Sequence, residues 1–86
     1  MKDLIRFFQL APEKIAELVF ILEGEDGVAV VRTLDPDRGI IEMLIAPALE
    51  PDLNLILQGL GPEFGIREIP KPRDLVSIAD EQDRQP

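Results

Sequence analysis

The sequence contains no cysteine, histidine, tryptophan or tyrosine. Without cysteine there is no disulfide, no thiol nucleophile and no thiolate metal site, and without histidine the imidazole chemistry of most acid–base centres is excluded. The side-chain hydroxyls other than tyrosine's are confined to Thr33 and Ser77, and neither has a histidine to activate it. No Gly-x-Gly-x-x-Gly or Gly-Lys-Ser/Thr run opens a helical segment, so a phosphate cradle is not expected. Basic residues are also scarce: 9 Lys and Arg stand against 17 Asp and Glu, for a net charge of −8. Such a surface repels phosphate backbones, and base stacking would have to come from 4 phenylalanines alone. No apolar run approaches the roughly 18 residues that a membrane span needs. Met1-Lys2-Asp3-Leu4 lacks the apolar core of a signal peptide. These absences predict a cytoplasmic protein that is not an enzyme, holds no cofactor or metal, and binds neither nucleic acid nor membrane.

What is present suffices for one small fold. The 86 residues are room for a single domain, and a hydrophobic content of 45% supplies one core. Leu4 to Leu10 reads as a first strand. Pro12 stands where a first helical residue would, and Ile15, Leu18, Val19 and Leu22 then recur on one helical stripe. Ala16, Phe20 and Ile21 widen that stripe, which predicts a helix covered on more than one side, ended by Gly24 as a left-handed cap. Val28 to Leu34 and Ile40 to Ala46 are rich in β-branched residues, and Asp35-Pro36-Asp37-Arg38-Gly39 between them has the chemistry of a hairpin turn. A second helix opens at Pro51, buries Leu53, Ile56, Leu57 and Leu60, and stops at Gly59 to Pro62. Phe64 to Ile69 is a last short strand.

The order β-α-β-β-α-β predicts an α+β, ferredoxin-like sandwich over residues 1–69: a four-stranded antiparallel sheet with both helices on one face. From Pro70 the composition changes, and residues 70–86 read as a flexible tail. Within that tail Leu75, Val76, Ile78 and Ala79 are apolar enough to fold back on the domain.

Pairing Asp35 with Ile40 across the turn assigns the strand faces. Val28, Val30, Arg32, Leu34, Ile41, Met43 and Ile45 fall on the helix side, and Ala29, Val31, Thr33, Ile40, Glu42 and Leu44 on the open side. That second set is too apolar for a free sheet face, so it is the candidate interface of a homodimer. A tail folded over the same surface is the competing arrangement. Arg32, placed on the helix side by this register, is either a snorkelling side chain that meets Asp35 or Glu42, or a candidate ligand contact. The acidic loop Glu23-Gly24-Glu25-Asp26-Gly27 lacks the spaced oxygen ligands of a calcium loop and reads as a solvated helix end. Asp35 and Asp37 read as turn caps.

Two resemblances add to this. The element order resembles the ACT-like branch of ferredoxin-like domains, modules that often pair and bind amino acids at the shared interface. Where those domains carry a glycine after the first strand, this chain has Leu10-Ala11-Pro12-Glu13. Leu22-Glu23-Gly24, Gly27 before the second strand, Thr33-Leu34-Asp35 entering the turn and Ala46-Pro47 after the third strand resemble the bacterial domain-of-unknown-function family 4911. That resemblance covers most of the domain but not the tail, and it implies a stand-alone bacterial protein with no activity to carry over. The resulting expectation is a regulatory or ligand-sensing module acting as a homodimer. Its alternative is a protein–protein interaction domain that docks through the open sheet face or the tail.

Overall fold

The computed structural model describes residues 3–24 and 27–77. Strand β1 covers Leu4–Gln9, helix α1 Ile15–Leu22, β2 Val30–Asp35, β3 Ile40–Ile45, α2 Glu50–Gly59 and β4 Arg67–Ile69. Both helices are entered through a single tight turn that a proline begins, Pro12–Lys14 before α1 and Pro47–Leu49 before α2. Proline suits that place because its fixed φ matches a helical start and its missing N–H would have had no partner there. The sheet is antiparallel throughout, in the order β2-β3-β1-β4. This is the α+β, ferredoxin-like arrangement.

The core lies between one sheet face and the two helices. Phe8, Ile41, Met43 and Ile45 from the sheet meet Leu18 and Leu22 of α1, Leu53 of α2 and Phe64. Burying each such side chain contributes about 1.5–3 kcal/mol. Leu57, Ile56 and Leu60 complete the α2 stripe as half-buried residues. Helix α1 is one-sided, contrary to the wider stripe expected: Phe20 is 80% exposed and Ile21 and Ala16 are also in solvent.

The turn lies where expected. Oδ1 of Asp35 accepts hydrogen bonds from the N–H groups of Asp37 and Arg38 at 3.0 and 3.1 Å. Gly39 has a φ of +71°, and a Cβ there would collide with the Leu10 carbonyl. Only glycine fits, and the Gly39 carbonyl in turn accepts from Leu10 N–H at 2.9 Å. Gly24 is not the left-handed cap expected. Among the described residues positive φ occurs at Gly39 and Gly65. Gly24 is needed for another reason: a Cβ would sit 2.9 Å from the Phe20 carbonyl oxygen.

The faces of β2 differ from the expected register. Asp35 does pair with Ile40, but Thr33 pairs with Ile41 and Val31 with Met43, because Leu34 is an extra residue in β2. A bulge of this kind reverses the facing of the paired strand residues upstream of it. Ala29, Val31 and Thr33 therefore lie on the helix side, where Ala29 is buried and Val31 packs on the core. Val30 and Arg32 move to the open face. The last strand is also shorter than expected: Pro62–Phe64 forms a tight turn that buries Phe64, and pairing begins at Arg67.

Candidate functional site

The sheet face away from the helices carries Ile5, Phe7 and Gln9 of β1, Ile40, Glu42 and Leu44 of β3, Val30 and Arg32 of β2, and Arg67 and Ile69 of β4. A bare antiparallel face of this kind is normally solvated. Here Phe7, Ile40 and Glu42 are only 7, 3 and 0% exposed. They occupy the half of the face nearest the β2–β3 turn. In the other half Ile5 and Leu44 are partly exposed and Val30 is 59% exposed.

The chain after β4 returns to the end of the sheet where this half lies. Residues 70–77 leave the β4 edge, and Asp74 reaches the opposite side of the sheet, where its Oδ2 accepts from Nη1 of Arg38 at 2.7 Å. Leu75 is then half-buried, Val76 is 62% exposed and Ser77 is fully buried. Residues 73–75 form a bend, so the segment turns back toward the domain as it reaches Arg38. Tied to the β2–β3 turn in this way, the segment is a strap. Of the Leu75, Val76 and Ile78 expected to cover the face in the competing arrangement, Val76 is exposed and Ile78 is not among the described residues. Ile78 to Pro86 lie outside the described residues, as do Glu25 and Asp26 of the acidic loop.

A hydrogen-bonded rim positions the residue that holds the strap. Arg67 donates to the Gln9 side-chain oxygen at 2.6 Å, and the Gln9 amide donates to the Arg38 carbonyl at 2.9 Å. The Arg38 guanidinium also lies 3.6 Å from Asp35, so it stands between two carboxylates. The bond from Arg38 holds the Asp74 carboxyl below the usual carboxylate range. Both partners are exposed, and exposed pairs are weak because water and salt screen them. Arg32, expected on the helix side, instead meets the buried Glu42 carboxylate on the open face at 3.8 Å.

The six residues expected to form one interface are thus split. Ile40, Glu42 and Leu44 are on the open face, whereas Ala29, Val31 and Thr33 are on the other because of the Leu34 bulge. Sequence reasoning missed Phe7, Arg38 and Asp74. The alternation of β1 could have placed Phe7 opposite Phe8, but nothing local pairs Arg38 with a residue 36 positions away.

Among the clefts formed by the described residues are two shallow ones. One, of about 410 Å³, opens between Asp3, Glu23, Val30 and Leu44. The other, of about 320 Å³, lies beside Arg6, Asn54, Gln58 and Glu68. In the second, Arg6 binds Glu68 through two nitrogens at 3.0 and 2.9 Å, with Asn54 at 2.8 Å and Glu50 at 3.2 Å. Those partners take four of its five N–H donors from within the chain. In the first, the Glu23 carboxylate accepts from Val31 N–H at 2.6 Å, on the outer edge of β2.

A family model matches residues 8–63, well over half of the chain. The chain belongs to the family described as domain of unknown function DUF4911. The stretch matched in this DUF4911 domain runs from Phe8 in β1 to Glu63 just before β4, so β4 and the strap lie beyond it. No curated protein matches the chain, and no solved structure does. No helix among the described residues is long and apolar enough to cross a membrane.

Proposed function

We propose that this DUF4911 domain is a non-catalytic protein–protein interaction module whose open sheet face receives an extended segment of a partner in place of its own strap. The observation that carries this reading is the burial of Phe7, Ile40 and Glu42 on a face that no helix covers. A face with a buried apolar floor, beside a cation that already takes a carboxylate of the tail, offers both to a partner segment of the same chemistry. That chemistry is written in the strap: a carboxylate for Arg38, then an apolar residue, then any residue, then a small hydroxyl, as in Asp74-Leu75-Val76-Ser77. The lock is an exposed ion pair, so a competing segment has little to displace.

A ligand-sensing role draws less support. The polar groups around the Arg6 cleft already bond one another, and the absence of histidine and cysteine supports a non-catalytic reading. The test is a titration followed by NMR. A peptide with the sequence of residues 70–77 is added to the ¹⁵N-labelled full chain and to its Asp74→Lys variant. We expect the variant, whose own strap is unlocked, to bind the peptide at least about tenfold more tightly, with shifts at Phe7, Ile40 and Glu42. A peptide that shifts no residue of that face in either protein contradicts the reading.

A further inference from the structure

Strand β2 is one edge of the sheet, and no strand among the described residues lies on its outer side. Val31 faces Met43 across the β2–β3 ladder, yet it gives its N–H outward, to the Glu23 carboxylate at 2.6 Å. In an antiparallel pair a residue points its N–H and its carbonyl the same way, so the Val31 carbonyl is outward too. Glu23 accepts with Oε2 alone, and among the described residues no other group bonds this side chain. A single hydrogen bond therefore guards the edge. The cleft of about 410 Å³ opens beside this guard. Val28, Val30 and Leu44 give it an apolar floor, and the exposed Asp3 and Glu23 line it with them.

We infer that the outer edge of β2 docks an extended segment of a partner protein that carries a lysine or arginine. On docking, Glu23 passes from the Val31 N–H to the cation, and a backbone carbonyl of the segment takes its place on that N–H. No hydrogen-bonding group is left unpaired by the exchange. The stem of the basic side chain lies on Val28, Val30 and Leu44 while its head meets Asp3 and Glu23, as long cationic side chains allow. Charge complementarity selects this occupant. Two carboxylates line the cleft, and the net charge of −8 draws basic segments toward it. A second copy of the chain is disfavoured on the same ground, because pairing two β2 edges sets one acidic surface against another. The edge is distinct from the buried half of the open face, so a segment docks on it while the strap stays in place.

Three acetylated and amidated pentapeptides test the edge: Thr-Val-Arg-Val-Thr, and the same sequence with leucine or glutamate in place of arginine. Each is titrated into the ¹⁵N-labelled full chain at low and at raised ionic strength and followed by NMR. We expect the arginine peptide to shift the amides of Val30, Val31 and Leu44 and to bind at least about threefold more tightly than the leucine peptide. That preference weakens with added salt, and the glutamate peptide binds least. Glu23→Gln keeps an acceptor for the Val31 N–H but removes the charge, so the preference for arginine over leucine shrinks. Glu23→Ala removes the guard as well, and the leucine peptide binds that variant more tightly than it binds the wild type. Three peptides that bind alike, or none that shifts Val31, overturn the basic occupant. Arginine-peptide shifts confined to Phe7, Ile40 and Glu42 overturn the edge site while the docking reading of the open face stands. Val31 shifts on concentrating the wild type alone make a second copy the occupant and overturn the proposal equally.

Discussion

Arg6 ties three elements of the domain together from one position. It projects from β1 on the helix side, stacks on the Phe8 ring at 5.3 Å, and bonds Glu68 in β4 as well as Glu50 and Asn54 in α2. A guanidinium is suited to this because its fork meets a carboxylate with two parallel bonds and leaves further donors for others. The hydrogen bond from Arg6 holds the Glu68 carboxyl below its usual range. The sign follows from that depression. The pair stabilises the fold above the unfolded Glu value of about 4.3, and the contribution is lost as pH falls through the lower folded value. Arg6→Met removes the bonds but keeps the stem. We expect a loss of about 1–2 kcal/mol, modest because Glu68 is half exposed and rehydrates. Urea melts of both proteins should show a constant difference at neutral and mildly acidic pH that shrinks only below the ordinary glutamate range.

The elements show which parts of the fold were legible in the sequence. The β2–β3 turn was, because Asp35, Pro36 and Gly39 each have a local reason to be there and the structure uses Asp35 and Gly39 as those reasons require. The two leucine stripes were as well, since periodicity alone places Leu18, Leu22 and Leu53 inward. The bulge at Leu34 was not. Nothing in Thr-Leu-Asp distinguishes a regular strand end from one with an extra residue, and a single such residue moved Val31 to the core and Arg32 away from it. The cost of that ambiguity was half of the candidate interface. It also yields a test. Deleting Leu34 removes the extra residue and leaves Thr33 opposite Ile41, Arg32 opposite Glu42 and Val31 opposite Met43, so Val31 stays on the core side and Arg32 on the open face. We expect that protein to keep a cooperative thermal transition by circular dichroism, because the core side of β2 is unchanged. Loss of the cooperative transition would mean that the bulge itself, and not the pairing upstream of it, holds β2 in place.

At the scale of the whole molecule, the open sheet face organises what the domain can do. The helices use one side of the sheet for stability, and the strap makes the other side a second, weaker layer locked by Arg38 and Asp74. On the proposed docking reading, the strap leaves without unfolding the core. It was only partly legible beforehand, because a fold-back of the tail depends on contacts between residues far apart in the chain rather than on local pattern. The most direct measurement uses the absence of native cysteine, which leaves no background reaction. Ile40→Cys introduces one thiol beneath the strap, and Val30→Cys one on the uncovered half of the same face. Their alkylation rates are compared in the full chain, with and without Asp74→Lys. The strap predicts that the thiol at position 40 reacts at least about tenfold more slowly than that at position 30, and that Asp74→Lys removes most of the difference. Equal rates at the two positions in the chain that retains Asp74 would contradict a covered face, and with it the docking function built on it.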